Sequence, residues 1–228
     1  MALQDLTFDQ ADASSTGPDR LERYKGTEGA TDRIAVVFFK PDANGKPDPS
    51  KARFLKGAIR YHAKLGSVLV DESIDPDVWE GFEESRDKAA TLIVRYPTEP
   101  NGKPIKDKLA TDTRVLLWEF GMPTLGALKN VNDSLLKSGK ALGTVDLKLI
   151  CKSAQYQRFD VLPVEPCIWQ ANPSYAAKLL EKVVPLYQHV KLGRELTEAQ
   201  IRDAVGTRKT SPVEEFDNDV LDNLLEHV

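Results

Sequence analysis

Residues 144–152 read TVDLKLICK, and their alternation decides the fold class. Val145, Leu147, Leu149 and Cys151 fall on one side of an extended chain; Asp146, Lys148, Ile150 and Lys152 fall on the other. Successive side chains of a strand point to opposite faces. A period of two therefore marks a half-buried strand of an antiparallel sheet. Residues 156–162 resume the pattern after a short polar break.

Working outward, residues 33–40 (RIAVVFFK) form a compact β-branched and aromatic run. Further strands are expected within 58–70, ending in Ser67-Val68-Leu69-Val70, and at 92–96 and 113–120. Asn-Gly-Lys-Pro occurs at 44–47 and again at 101–104. Asn and Gly tolerate positive φ, so each copy suits a tight turn that puts Lys46 or Lys103 at an exposed tip.

Helices are fewer. Leu125, Leu128, Val131 and Leu135 recur at helical spacing behind Pro123, which predicts a helix over 123–138. Asn172-Pro173 reads as a cap and first turn, with an interruption at Pro185. Thr197-Glu198-Ala199-Gln200 is a capping box for a short helix ending at Gly206. Val78, Trp79 and Phe82 within 71–87 predict an exposed amphipathic helix.

This order predicts a mainly β chain with flanking helices (α+β). Five or so antiparallel strands with a single helix before the last one fit an OB-type antiparallel β-barrel, and a split sheet packed with helices is the alternative. The expected division is a flexible arm at 1–20, a barrel domain at 21–170, C-terminal helices at 171–210 and an acidic tail at 211–228.

The formal net charge of −4 hides segregation. Residues 33–64 hold eight basic and two acidic side chains, whereas 71–87 hold eight acidic and one basic. Residues 88–152 return to eleven basic against six acidic. The last eighteen residues carry Glu214, Glu215, Asp217, Asp219, Asp222 and Glu226 without Lys or Arg. Blocks of one sign are solvated faces or interaction tails.

Signals for chemistry are sparse. His62, His189 and His227 have no metal-ligand spacing, and no Walker, GxGxxG, GxSxG or HExxH motif occurs. Cys151 and Cys167 lie in apolar stretches, as buried thiols do, and match neither a disulfide framework nor a zinc site. A non-enzymatic protein without metal or cofactor is expected. No signal peptide or membrane span is read, so the cytoplasm is the default location.

Single strands are bound by a positive groove that follows the phosphates and by rings that stack on bases. The expected strands interleave both devices: Arg33 and Lys40; Lys46; Lys56, Arg60, Tyr61 and Lys64; Arg95 and Tyr96; Lys103; Arg114 and Trp118; Lys148 and Lys152; Tyr156 and Arg158. Trp118 and Phe39 also suit a core, since aromatics dominate cores. Single-stranded DNA is the ligand this pattern favours, with RNA as the alternative. An acidic tail containing Phe216 complements such a groove, and an equal reading makes it a solubilising segment.

Tyr24-Lys25, Gly29 and Arg33-Ile34-Ala35-Val36-Val37 resemble the opening of a group of bacteriophage single-stranded-DNA-binding proteins. Gly143-Thr144-Val145-Asp146-Leu147-Lys148-Leu149, followed by Tyr156-Gln157-Arg158, is similar to the group's final barrel strands. The resemblance spans residues 22–170. It implies an OB-fold core and cooperative or multimeric coating of strands in phage replication and recombination, inside the host cytoplasm. It also implies a tail that regulates binding and recruits replication or recombination proteins. The zinc cluster of some relatives has no counterpart here, and the chain ends in His227-Val228 where several tails end in Phe. The other classes consistent with the sequence are a virion or assembly component and a nucleic-acid enzyme of unfamiliar type.

Overall fold

The strand signals become nine strands among the residues described by the computed structural model, 21–155 and 157–206. The expected arm and tail, and Tyr156, lie outside the described residues. The strands are β1 (Thr31–Val36), β2 (Phe39–Pro41), β3 (Pro47–Ala52), β4 (Leu55–His62), β5 (Gly66–Leu69) and β6 (Arg86–Tyr96). After a single helical turn, α1 (Leu109–Asp112), come β7 (Arg114–Gly121), α2 (Met122–Leu136), β8 (Asp146–Ser153) and β9 (Arg158–Val164). Two helices, α3 (Pro173–Val183) and α4 (Glu198–Val205), follow. The antiparallel, mainly β architecture with helices matches the expected class, and the tight turns at Gly45 (φ 78°) and Gly102 (φ 82°) adopt the expected left-handed backbone.

One strand organises the sheet. β6 carries β7 along one edge, from Lys88 opposite Gly121 to Arg95 opposite Arg114. Its other edge is shared: the first half pairs with β4 (Leu55 opposite Ala90, Ile59 opposite Arg86) and the second half with β1 (Arg33 opposite Tyr96, Val36 opposite Ile93). At the change of partner, Val37 N–H donates to the Leu92 carbonyl at 3.0 Å and the Thr91 hydroxyl donates to the Arg53 carbonyl at 2.9 Å. The fork therefore leaves neither group unsatisfied. From there β1 leads to β8 and β9, while β4 leads to β5. This pairing path is open, with β5 and β9 at its ends, so the closed barrel drawn from the sequence is not formed by these ladders.

Both faces of the central strands are covered. Ile34, Val36, Ile93, Trp118, Phe120, Leu147 and Leu149 pack with Leu128 and Leu135 of α2. Ala35, Val37, Leu92, Val94 and Tyr96 pack on the opposite side with Tyr175, Leu179 and Val183 of α3. Burial on both faces explains why residues 34–39 are apolar throughout rather than alternating. Residues 171–206 thus share their cores with the sheet: Ile201 of α4 closes a third cluster with Val68, Ile74, Val78 and Trp79. Among the described residues no helix is long and apolar enough to cross a membrane.

Residues 71–87 correct the expected amphipathic helix. They form only a 3₁₀ turn at Pro76–Trp79, and Arg86 already begins β6. Local hydrogen bonds win here. Asp71 accepts from the backbone and hydroxyl of Ser73, Asp75 accepts from Asp77 N–H, and Gly81 turns the chain away at φ 81°.

Asp146, placed on the wet face of its strand by alternation alone, is fully buried. Its carboxylate accepts from Arg33 Nε at 2.8 Å and from Ile168 N–H at 3.2 Å, and Arg33 also donates to the Pro166 carbonyl at 2.6 Å. Burial pushes the Asp146 carboxyl up to about 6, against the downward pull of Arg33. Arg33→Ala strands the carboxylate and should cost about 3–5 kcal/mol in urea unfolding. Because the folded state holds the Asp146 proton more tightly than the unfolded chain does, this group's contribution to stability falls as pH rises from about 4 to about 6. Asp146→Asn should remove that slope. An unchanged slope would locate the titration elsewhere.

Candidate nucleic-acid interface

The β2–β3 hairpin leaves the sheet at the fork, its neck closed by Arg53 N–H donating to the Phe38 carbonyl at 2.8 Å. It then leans on the turn after α2. A Cβ at Gly143 would stand 2.4 Å from the Pro49 carbonyl oxygen and 2.5 Å from the Phe39 ring, so glycine permits that close approach. Between hairpin and helix lies a groove of about 420 Å³. Lys40, Ser50, Lys51 and Ala52 form one wall and Leu125, Leu128, Lys129 and Asn132 of α2 the other, with Phe54, Lys56 and Leu142 completing it.

Among the described residues no carboxylate lines this groove. Lys51 is paired with Asp48 at 3.1 Å, whereas Lys40, Lys56 and Lys129 make no ion pair among the described residues. Phe54 is half-buried, braced edge-to-face by Phe120 with ring centroids 6.4 Å apart. Like charges left together in this way repel one another, which costs folding free energy and leaves them available to a polyanion. Ammonium groups above an apolar, partly aromatic lining suit phosphates with flat bases between them.

Of the residues expected to bind, Lys40 and Lys56 meet here. Lys46 and Lys103 stand exposed on their turns, as expected, without lining the groove. The others are dispersed. Arg33 is committed to Asp146, which removes it from any ligand surface. Tyr96 and Trp118 are 1% and 0% exposed, so neither is a stacking platform. Burial, and then Asp146, raise the Tyr96 hydroxyl well above its ordinary value. Arg95 pairs with Asp32 at 2.8 Å and Lys152 with Asp160 at 2.9 Å.

Arg60 lies over the Trp79 ring, 5.7 Å from its centroid. Tyr61 is 46% exposed, in a depression where Glu83, Glu84 and Glu119 outnumber Arg86 and Lys88. Arg114 is half-buried opposite Arg95, Lys148 is half-buried beside the Gly102 turn, and Arg158 is exposed at the start of β9. Lys64 lies at the far end of β4 in a different depression. Tyr156 lies outside the described residues, as do Glu214, Glu215, Phe216, Asp217, Asp219, Asp222 and Glu226 of the tail.

Sequence reasoning missed Lys51, Lys129 and Phe54. Lys129 follows Leu125 by four residues on one helix, but it reaches a strand-built surface only through the turn of the chain after β7. A larger depression of about 980 Å³ is lined by Asp71, Glu72, Glu195 and Glu198 together with Leu69, Ile74 and Leu196, a charge that repels nucleic acid. Cys151 and Cys167 are buried thiols. No protein-family model matches the chain, and no curated protein matches it.

The placement of the aromatic rings has a direct test in stability. Trp118→Ala should cost about 3–5 kcal/mol, as truncating a core aromatic does. Tyr61→Ala should stay within about 0.5 kcal/mol, as exposed substitutions do. Equal losses in urea unfolding would contradict the assignment of one ring to the core and the other to the surface.

Proposed function

We propose that this chain is a non-enzymatic single-stranded-nucleic-acid-binding protein, with single-stranded DNA as the ligand. The carrying observation is the groove in which Lys40, Lys51, Lys56 and Lys129 line the wall with Phe54 and, among the described residues, no carboxylate. Phosphates neutralise the lysines, and Phe54 offers a ring to a base. An OB-type, partly open barrel is the architecture we assign. Its support is the shared strand β6, the α2 helix placed between β7 and β8 over an apolar interior, and the backbone of residues 22–30 ahead of β1, which bridges β7 and β8. In that backbone Tyr24 N–H donates to Leu117 O at 2.8 Å and Gly29 N–H donates to Cys151 O at 2.9 Å. The resemblance of residues 22–170 to phage single-stranded-DNA-binding proteins agrees with this reading and extends it to strand coating in replication and recombination. Residues 211–228 would then compete for the groove or recruit partner proteins.

A second reading, a protein-interaction or assembly component, rests on the acid- and leucine-lined depression of about 980 Å³. It expects no binding of oligonucleotides.

Binding of oligo-dT, followed by fluorescence anisotropy at a series of salt concentrations, separates the two. The affinity should fall by about 0.7 log units per phosphate contact for each tenfold rise in salt. Replacing Lys40, Lys56 and Lys129 by Ala should make that slope shallower by about 2, whereas Lys103→Ala should leave it nearly unchanged. A triple variant with the wild-type slope would move the interface elsewhere. Deleting residues 211–228 should tighten binding at low salt, and an unchanged affinity would end the tail's competing role.

A further inference from the structure

A second positive depression, of about 650 Å³, lies at the opposite end of β4. Arg23, Lys64, His189, Lys191 and Arg194 line it, with Glu195 the lone carboxylate among the described residues, over an apolar floor that includes Leu117. Its cations come from three separate parts of the chain, each pinned by backbone. Residue 23 bridges to β7 at Leu117, and Arg23 also pairs with Glu119 at 3.5 Å. Lys64 sits in the β4–β5 turn. The stretch at 190–194 is held against β5, where Arg194 N–H donates to Ser67 O and Leu69 N–H donates to Arg194 O, both at 2.9 Å. Gly193 allows that approach, because a Cβ there would stand 3.1 Å from Leu69 N. Lys64 and Lys191 make no ion pair among the described residues.

The two positive grooves are separated in two ways. Lys56 and Lys64 lie at either end of β4, roughly 20 Å apart or more at a strand rise of about 3.3 Å per residue. Between them, one face of the strand presents Tyr61 in a depression of Glu83, Glu84 and Glu119 with Arg86 and Lys88, where Arg86 pairs with Glu83 at 3.0 Å and Arg23 with Glu119 at 3.5 Å, so the lining has no positive excess. On the other face Arg60 is covered by Trp79. A single strand following β4 therefore crosses a stretch without positive excess between one groove and the other.

We infer that the depression around Lys64 and Lys191 is a second strand-binding groove, so that one molecule holds two nucleic-acid strands at once. This rests on the reading of the first groove as a single-strand site. The function it adds is bridging, which raises the local concentration of one strand near another.

Two non-complementary probes test it: oligo-dT of roughly eight nucleotides, within the span of one OB-type site, carrying a donor or an acceptor dye. With wild-type protein at saturating probe, energy transfer between the two dyes is expected. Lys64→Glu with Lys191→Glu should abolish transfer while leaving the affinity for a single probe at low occupancy within about twofold, since distant sites act independently. That retained affinity also reports a folded variant, and Lys64→Gln with Lys191→Gln should lower transfer in the same direction.

Transfer that survives in both double variants would overturn the inference, placing the bridging between copies of the chain. So would wild-type protein that binds one probe per chain without transfer, although the first groove would then stand. Loss of all probe binding in the wild type would remove the single-strand reading and the inference together.

Discussion

The structure depends on β6 changing partners along one edge. An antiparallel strand offers one row of hydrogen-bonding groups per edge, and here β4 takes the first part of the row and β1 the second. Between the end of β1 and the start of β4, eighteen residues must leave the sheet and return, and they do so as the β2–β3 hairpin. The Thr91 hydroxyl bonds the Arg53 carbonyl and the Val37 amide bonds the Leu92 carbonyl, so these backbone groups at the gap are paired. The hairpin is therefore held at its base by the sheet and along its side by the turn at Gly143, which sets one wall of the lysine groove. The other wall is α2, directly continuous with β7 on the far edge of β6. Both walls trace back to one strand.

Electrostatics follow from that arrangement. Lys40, Lys51 and Lys56 gather at one end of β4, while Asp71 and Glu72 lie beside Gly57 and Ala58, and Glu83 and Glu84 beside Tyr61. Charges that serve the fold are buried and matched, as Arg33 and Asp146 are. Lys40, Lys56 and Lys129, which make no ion pair among the described residues, line one groove. This contrast, rather than the net charge of the chain, distinguishes a ligand surface from scaffold.

Much of the fold was legible because local rules governed it. The alternation at 145–151, the Asn-Gly turns, the Asn172 cap and the Thr197 capping box all operate within a few residues, and each element appears where those signals place it. The candidate site was legible only in part. Alternation identifies two faces without saying which is wet, and α3 covers the face of β6 that would otherwise expose Tyr96. Arg33 and Asp146 read as solvated because a buried ion pair has the same composition as an exposed one. Lys129 escaped notice because its contribution comes from tertiary placement of a helix beside a hairpin about eighty residues earlier in the chain. Residues 71–87 have helical spacing, but Asp71, Asp75 and Gly81 supply turns that the spacing does not register.

The central claim is that the unpaired lysines between the hairpin and α2 contact the strand. Acetylation of the lysines of the full chain, with and without oligo-dT and followed by peptide mass spectrometry, examines it at individual side chains. Lys40, Lys56 and Lys129 should be protected when the strand is present, and Lys46 and Lys103 should stay reactive. Protection confined to Lys46 and Lys103, with Lys40, Lys56 and Lys129 modified as fast as in the free protein, would contradict the account.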